Sequence, residues 1–547
     1  MNTILVASVV VVCLGLSTLL GLAAAWGRQH VSEDYFLAGK SLPWWVVGLS
    51  IAGTACRLEI WLALIGLTYT VGLAAGTLLW SNFLAFSLLV GLLLPFYIRK
   101  RLSGPAEFFE RRYSPAIRAI FVLLAMLFMI VGVLAPSLFL GGWFLCETGL
   151  GIPVDGLSWQ LAACVAAIAV VTALYCVYGG LSAGAWSSAL QMLIVIAGGT
   201  LLAVAATRQA GGLPGLVEKN AWPRLDLLLS SRHATFPWTG VLAVWLTLSI
   251  WNTATNPAVV QRCLGAQSEW DARMGVLVAA LLQIPLAAVI LLPGLSGLAK
   301  VSSFTVTGLT IDRGALGMIE TLFGRETVWG SLGLGLVISA VLAAVMSTVS
   351  AAATAFAGLW TMDVCQDLFR RNASEIELVG RGRRSTFMAL LLGAALAPLL
   401  VLWDKGLVVF VLEVAAVVGP PVAVIALVAF FWSRAHGRAA LMALVVGVLA
   451  GAGLWFVAAF GEMVPEWMMP VLNRAGLSGA VSFVLLVLST FIIPQDPDEL
   501  YDPDTRWSFR GIRLPGHERE LGAGPRSLLF WWLVLALLTA AVWVVFR

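Results

Sequence analysis

Apolar residues run along this chain in long unbroken stretches rather than in amphipathic stripes. About 20 apolar residues make one helical crossing of a bilayer. Stretches of that order fall near residues 2–25, 43–71, 76–98, 119–145, 159–178, 183–206, 236–260, 274–298, 328–356, 386–403, 407–432, 439–460, 477–494 and 527–546. The pattern predicts fourteen membrane-spanning helices, with 328–356 open to continuation as a second short helix. The gaps hold most of the glycine, proline and charge, so the chain reads as one membrane domain without a soluble module. The largest polar gap, 495–526, carries no catalytic or binding motif. Residues 2–25 resemble a signal peptide in apolarity, but no Lys or Arg precedes them and the stretch is long for such a peptide. They are read as a true first span.

Composition agrees. The 547 residues are 60% hydrophobic and 11% charged, with mean hydropathy +0.95. A soluble domain carries about 25% charged residues, so soluble enzyme, nucleic-acid binder and disordered scaffold are poor fits. The net charge of +4 implies no polyanionic partner. Seven cysteines are scattered without a CxxC pair, which predicts no disulfide framework and no metal centre other than one for sodium. The four histidines, His30, His233, His436 and His517, all fall in predicted loops, and no nucleophile–base set shares a span, so enzymatic function is not expected. With the N-terminus outside, the inner loops hold 22 Lys and Arg and the outer segments 10. Cytoplasmic loops carry the excess of these residues. An even number of spans then puts both termini on the extracytoplasmic side of the cell membrane.

Ionisable residues at membrane depth mark a pathway or a pair. Arg57 and Glu59 lie midway along the second span and Glu413 lies in the eleventh; Arg57 is the only basic residue in any predicted span. Two positions apart on a regular helix, Arg57 and Glu59 face different ways, so mutual pairing requires a helix break. Gly53, Thr54 and Cys56 offer one. The seventh span carries Trp251-Asn252-Thr253-Ala254-Thr255-Asn256-Pro257, and Pro257 disturbs the turn before it. Two interrupted spans five apart fit an inverted-repeat transporter, whose unwound segments free carbonyls for a cation. In the ninth span, Ser347 and Thr348 offer two adjacent hydroxyls. Their plain alternative is helix packing through small residues.

Four segments in order resemble the sodium:solute symporter family, which includes sodium/sugar, sodium/proline and sialic-acid symporters. Asp34 to Trp45 is similar to the family's "YFLAGRSLPWW"; Tyr178-Gly179-Gly180-Leu181-Ser182 with Trp186 and Gln191 to "YGGLxAVxWTDxxQ". Asn256 with Val260-Gln261-Arg262 and Leu264-Gly265-Ala266 resembles "NQxxxQRxLAA". Ala343 to Thr348 with Thr361-Met362-Asp363 resembles "AAxMSSxxSxxNSxSTxxTxD".

The resemblance implies an all-α polytopic membrane protein with the leucine-transporter-type five-plus-five inverted repeat. Residues 1–42 would be an extra helix and the loop leading inward, 43–435 the ten-helix transport core, and 436–547 three extra helices. It implies sodium-coupled symport of a small polar solute, with Na+ as the coupling ion, no organic cofactor, no nucleic acid and no required oligomer. Carried over by position, sodium would meet Gly53, Cys56, Ala344, Ser347 and Thr348. Glu59 and Asn256 match the sugar transporters' substrate contacts, and Arg57 and Asn252 join them as candidates. Three positions depart from the family pattern: Ser188 stands where it has Asp, Ala351-Ala352-Ala353 covers its Asn, and Arg57 replaces a small residue. Arg57 therefore admits a second reading, a sodium-independent uniporter or exchanger with a tethered cation. A transporter-like sensor is a third. The sequence leaves sugar, polyol, amino acid, organic acid and vitamin all open.

Overall fold

The computed structural model describes the chain except residues 1, 28–30, 81, 155, 220–224, 234, 297–318, 320, 324–325, 370–372, 404–406, 462–464, 496–512, 516–517, 519–523 and 547. The principal helices are α1 (Asn2–Ala25), α2 (Ser32–Leu37), α3 (Trp44–Ala55), α4 (Leu58–Val71), α5 (Asn82–Leu88), α6 (Leu94–Arg99), α7 (Pro105–Arg112), α8 (Pro115–Leu127), α9 (Ala135–Phe144) and α10 (Trp159–Gln209). They continue with α11 (Trp238–Leu246), α12 (Pro257–Leu264), α13 (Glu269–Leu295), α14 (Val328–Gly358), α15 (Glu375–Leu396), α16 (Leu407–Phe431), α17 (Gly437–Phe460), α18 (Val471–Ile492) and α19 (Leu528–Val545).

Eleven helices among the described residues are long and apolar enough to cross a membrane. The difference from fourteen arises where helices are joined or broken. α10 is 51 residues, or roughly 75 Å at 1.5 Å per residue, against a hydrocarbon core of about 30 Å. It turns at Gly180 (φ 56, ψ −141), between the fifth and sixth predicted spans. Likewise Leu58–Val71, the second half of one predicted span, is followed without a gap by helical turns at Gly72–Gly76 and Thr77–Trp80 that open the next. The seventh predicted span is broken into α11, a π-helical turn at Ile250–Ala254, and α12.

Capping side chains set several helix starts outside the apolar windows. Ser268 accepts from the Asp271 N–H at 2.9 Å, so α13 begins at Glu269 rather than near 274. Ser374 accepts from Glu377 N–H, so α15 begins at Glu375 rather than near 386. Each cap satisfies a backbone donor that a helix start leaves free. The same extension corrects the expectation that Arg57 is the only basic residue in a span. Arg474, expected in an outer loop, sits in the first turn of α18 and pairs with Glu413 of α16, both largely buried.

The centre of the molecule is α14. Every residue from Val337 to Ala357 is buried, against α10, α1, α3 and α15. The run Ala351-Ala352-Ala353 and the other small side chains let neighbouring backbones approach closely. At Gly198 of α10, an added Cβ would meet Ala340 Cβ at 2.6 Å.

Candidate functional site

The second predicted span breaks where the sequence offers no regular helical pairing. α3 ends at Ala55; Cys56 (φ −85, ψ 59) and extended Arg57 (φ −70, ψ 139) follow, and α4 restarts at Leu58. A helix end leaves its last carbonyls without intrahelical donors, here deep inside the fold. Beside this end the backbone of α3 closes on two other helices. A Cβ at Gly53 would lie 2.9 Å from Ser347 Oγ on α14 and 3.2 Å from the Ser188 carbonyl on α10.

Of the five expected sodium contacts, Gly53 and Ser347 are thus brought together, and Cys56 occupies the break itself. Thr348 Oγ1 donates to the Ala344 carbonyl at 3.0 Å, joining the other two on α14. Among the described residues, Ser347 Oγ is buried without a hydrogen-bond partner, and so is Ser188 Oγ. An unpaired buried hydroxyl costs about 1–3 kcal/mol. A bare cation would accept the lone pairs of such a hydroxyl.

The break also re-aims Arg57. Its guanidinium pairs with the Glu59 carboxylate, and Arg57 Nη2 donates to the Gly132 carbonyl at 2.6 Å. Ser137 Oγ donates to Glu59 at 3.3 Å. Glu59 is 1% exposed and Arg57 11%. The pairing predicted to need a break therefore occurs, and the break supplies it. Gly132 lies in the π-helical turn Phe128–Leu134 that joins α8 to α9, and Ser137 in α9. Sequence reasoning missed both, because a lone Gly or Ser in an apolar run carries no signal of its own.

Asn252 and Asn256 sit in the second break. Asn256 caps α12: its Oδ1 accepts from Ala258 N–H at 2.9 Å and its Nδ2 donates to the Asn252 carbonyl at 3.2 Å. Neither asparagine hydrogen-bonds to Arg57 or Glu59. The two breaks meet indirectly. The Trp251 ring packs edge-on against Phe128 at 5.3 Å and Phe121 at 6.3 Å, on the same α8–α9 run that holds Arg57 and Glu59. Just beyond, Arg262 is fully buried and donates from Nη1 to Ala258 O at 2.9 Å, although the sequence placed it in a loop.

One cleft lies towards the face of the Arg-rich loop, lined by Glu33, Phe36, Ser103, Gln261 and Asp363 among others. Arg118 at the start of α8 bridges Asp363 (2.8 Å) and Glu110 (2.5 Å) beside it.

Comparison with known proteins agrees with this architecture. The chain is 27% identical over 443 residues to a sodium/glucose cotransporter of Vibrio parahaemolyticus, covering 77% of this chain and 79% of that protein. It is 26% identical over 513 residues to the human sodium/myo-inositol cotransporter, covering 86% and 69%. Its fold is similar to a Na+-coupled sialic acid symporter in a substrate-bound outward-open state, with TM-score 0.74, 18% identity, and 90% and 98% of the two chains covered. A nucleobase-cation-symport-1 family transporter in a closed conformation aligns at TM-score 0.54 and 13% identity, over 88% and 99%. The family profile of sodium:solute symporters matches residues 35–447, and the chain belongs to the sodium:solute symporter family: it is a membrane transporter, not an enzyme.

Proposed function

We propose that this protein carries a polyhydroxylated solute of the sugar or polyol class inward across the cytoplasmic membrane with sodium. Fourteen crossings, with residues 43–435 as a five-plus-five repeat, would make the transport core. Sodium would be held between the carbonyls at the end of α3, at Gly53 and Cys56, and Ala344, Ser347 and Thr348 on α14. The observation that carries this reading is Ser347 Oγ, buried, unpartnered and against Gly53. Unwound carbonyls near the midplane are the usual cation ligands of such transporters.

Arg57, Glu59, Asn252 and Asn256 would face the solute from the two breaks. The named relatives carry glucose and myo-inositol, which favours a neutral hydroxylated solute. So does the Arg57–Glu59 pair, whose charges offset each other. Arg57 turned to Glu59 and Gly132 also supports pairing over its use as a tethered cation. Sodium binding would tie α3 to α14 and so favour the solute-competent state. A ligand biases such an equilibrium only through contacts that differ between the states.

The test is sodium-dependent thermal stabilisation and uptake. Sodium at about 100 times its dissociation constant should stabilise the purified protein by about 2.7 kcal/mol. Ser347→Ala/Thr348→Ala should abolish that gain and sodium-driven uptake while the protein still reaches the membrane. An unchanged sodium half-saturation in the double variant would remove the site, and uptake by the unmodified protein without sodium would favour the uniporter reading.

A further inference from the structure

Two of the seven cysteines meet. Cys146 donates its S–H to Cys164 Sγ at 3.0 Å. Cys146 lies in the helical turn Leu145–Leu150 that follows α9, and Cys164 about one and a half turns into α10. The segment between folds back on itself: Ile152 N–H donates to the Cys146 carbonyl at 2.8 Å, and Val154 N–H to Glu147 Oε1 at 3.4 Å. Cys146 is fully buried and Cys164 nearly so. A disulfide bond is about 2.05 Å long, so the two sulfurs stand within roughly 1 Å of bonding distance. Among the described residues, no other two cysteines share a hydrogen bond.

Their place along the membrane matters as much. Pro115 begins a continuous helical run to Leu150. Cys146 is 31 residues along it, roughly 46 Å at 1.5 Å per residue, which exceeds the hydrocarbon core of about 30 Å. The pair therefore lies at the opposite membrane face from the Arg99–Arg112 loop. Residues 147–158 contain no Lys or Arg but do contain Glu147 and Asp155. This is the composition of an extracytoplasmic loop, where disulfides form and persist.

We propose that Cys146 and Cys164 form a disulfide that staples the fourth predicted span to the fifth at the extracytoplasmic face. The two thiols lose two protons and two electrons, and one S–S bond forms. A thiol–disulfide oxidoreductase of that compartment accepts the electrons: its own disulfide passes through a mixed disulfide and leaves as a dithiol. The exchange precedes the packing of α9 against α10, because the folded pair is enclosed. Ser137 lies nine residues before Cys146 on the same run, roughly 13 Å away. The staple thus fixes the helix on which the Arg57–Glu59 pair rests. The inference relies on the orientation expected from the Lys and Arg count but not on the identity of the solute.

Free thiols are counted in the full-length protein, purified from intact membranes without reductant, denatured and alkylated. Five of the seven cysteines should be labelled before reduction and all seven after it. No Lys or Arg lies between Arg118 and Arg208, so trypsin leaves both cysteines on one peptide. Cleavage at Asp155 separates them into two peptides that should stay joined until reductant is added. Reductant should lower the apparent Tm of the unmodified protein and leave that of Cys146→Ser/Cys164→Ser unchanged. Seven labels without reductant overturn the disulfide. Leu157→Cys, exposed in the same loop, checks the orientation separately: it should react with an impermeant thiol reagent in intact cells. If it reacts and seven labels are still counted, the disulfide alone is wrong. If it does not react, the orientation is wrong, and the proposal of an extracytoplasmic staple falls with it.

Discussion

At the scale of single residues, Arg57 and Glu59 decide how the site tolerates change. Removing one partner of a buried pair strands the other, at a cost of about 3–5 kcal/mol, whereas replacing both is far milder. Glu59, at 1% exposure and with Ser137 as its other partner, has little water to fall back on. Arg57→Gln should therefore lower the apparent Tm and uptake sharply, and Arg57→Gln/Glu59→Gln should recover part of the stability. Equal losses in the single and double variants would show that Arg57 serves the solute rather than its neighbour. The pair itself was legible in the sequence, because two charges inside an apolar run stand out and their spacing demanded a break. Their further partners were not. The Gly132 carbonyl is a backbone group, and its availability depends on the π-helical turn at Phe128–Leu134. Ser347 and Thr348 stood out as adjacent hydroxyls in a span, Ala344 was named only through family resemblance, and it is the approach at Gly53 that brings Ser347 to α3.

At the scale of elements, the breaks carry the architecture, and they differ in how plainly the sequence announces them. Pro257 and the Asn256 cap mark the break of the seventh span, since proline suits the first helical turn and asparagine the position before it. The end of α3 at Ala55 has no proline to mark it; the chain leaves helical geometry at Cys56 and Arg57, and Arg57 there reaches the Gly132 carbonyl. Helix starts such as Ser268 and Ser374 lay outside the apolar windows because caps, not hydropathy, set them. Gly180 is the sharpest local case. Its φ of 56° with ψ of −141° suits only glycine, and an added Cβ would fall 2.3 Å from the Tyr35 carbonyl on α2. Gly180→Ala should cost about 1–3 kcal/mol from the backbone alone, with the clash against Tyr35 added. The measurement is a lowered apparent Tm in detergent and a reduced monodisperse yield. A wild-type profile would mean the turn between the two halves of α10 can be made another way.

At the scale of the whole molecule, the charge count and the contacts agree on which segments share a face. The segments read as inner come together. Arg99 pairs with Glu269 at 2.8 Å, while Glu518 of the long polar loop accepts the Trp270 N–H at 2.8 Å. Arg112 donates to the carbonyls of Ala429, Trp432 and Ala435, which fastens the 99–118 loop to the end of α16. Ser32 N–H donates to Glu375 at 2.6 Å. Segments read as outer also meet: Leu227 N–H donates to the Phe546 carbonyl, and Thr239 donates to Asn473. An error of one span between these segments would have split the sets between faces. Which face is the inner one rests on the excess of Lys and Arg. Leu228 and Ile376 are both exposed and lie on opposite sides in this scheme. Leu228→Cys should react with an impermeant thiol reagent in intact cells, and Ile376→Cys should react only after the membrane is opened. The reverse pattern would invert the molecule while leaving every helix contact in place, and it would put the cleft at Glu33 and Asp363 on the extracytoplasmic side.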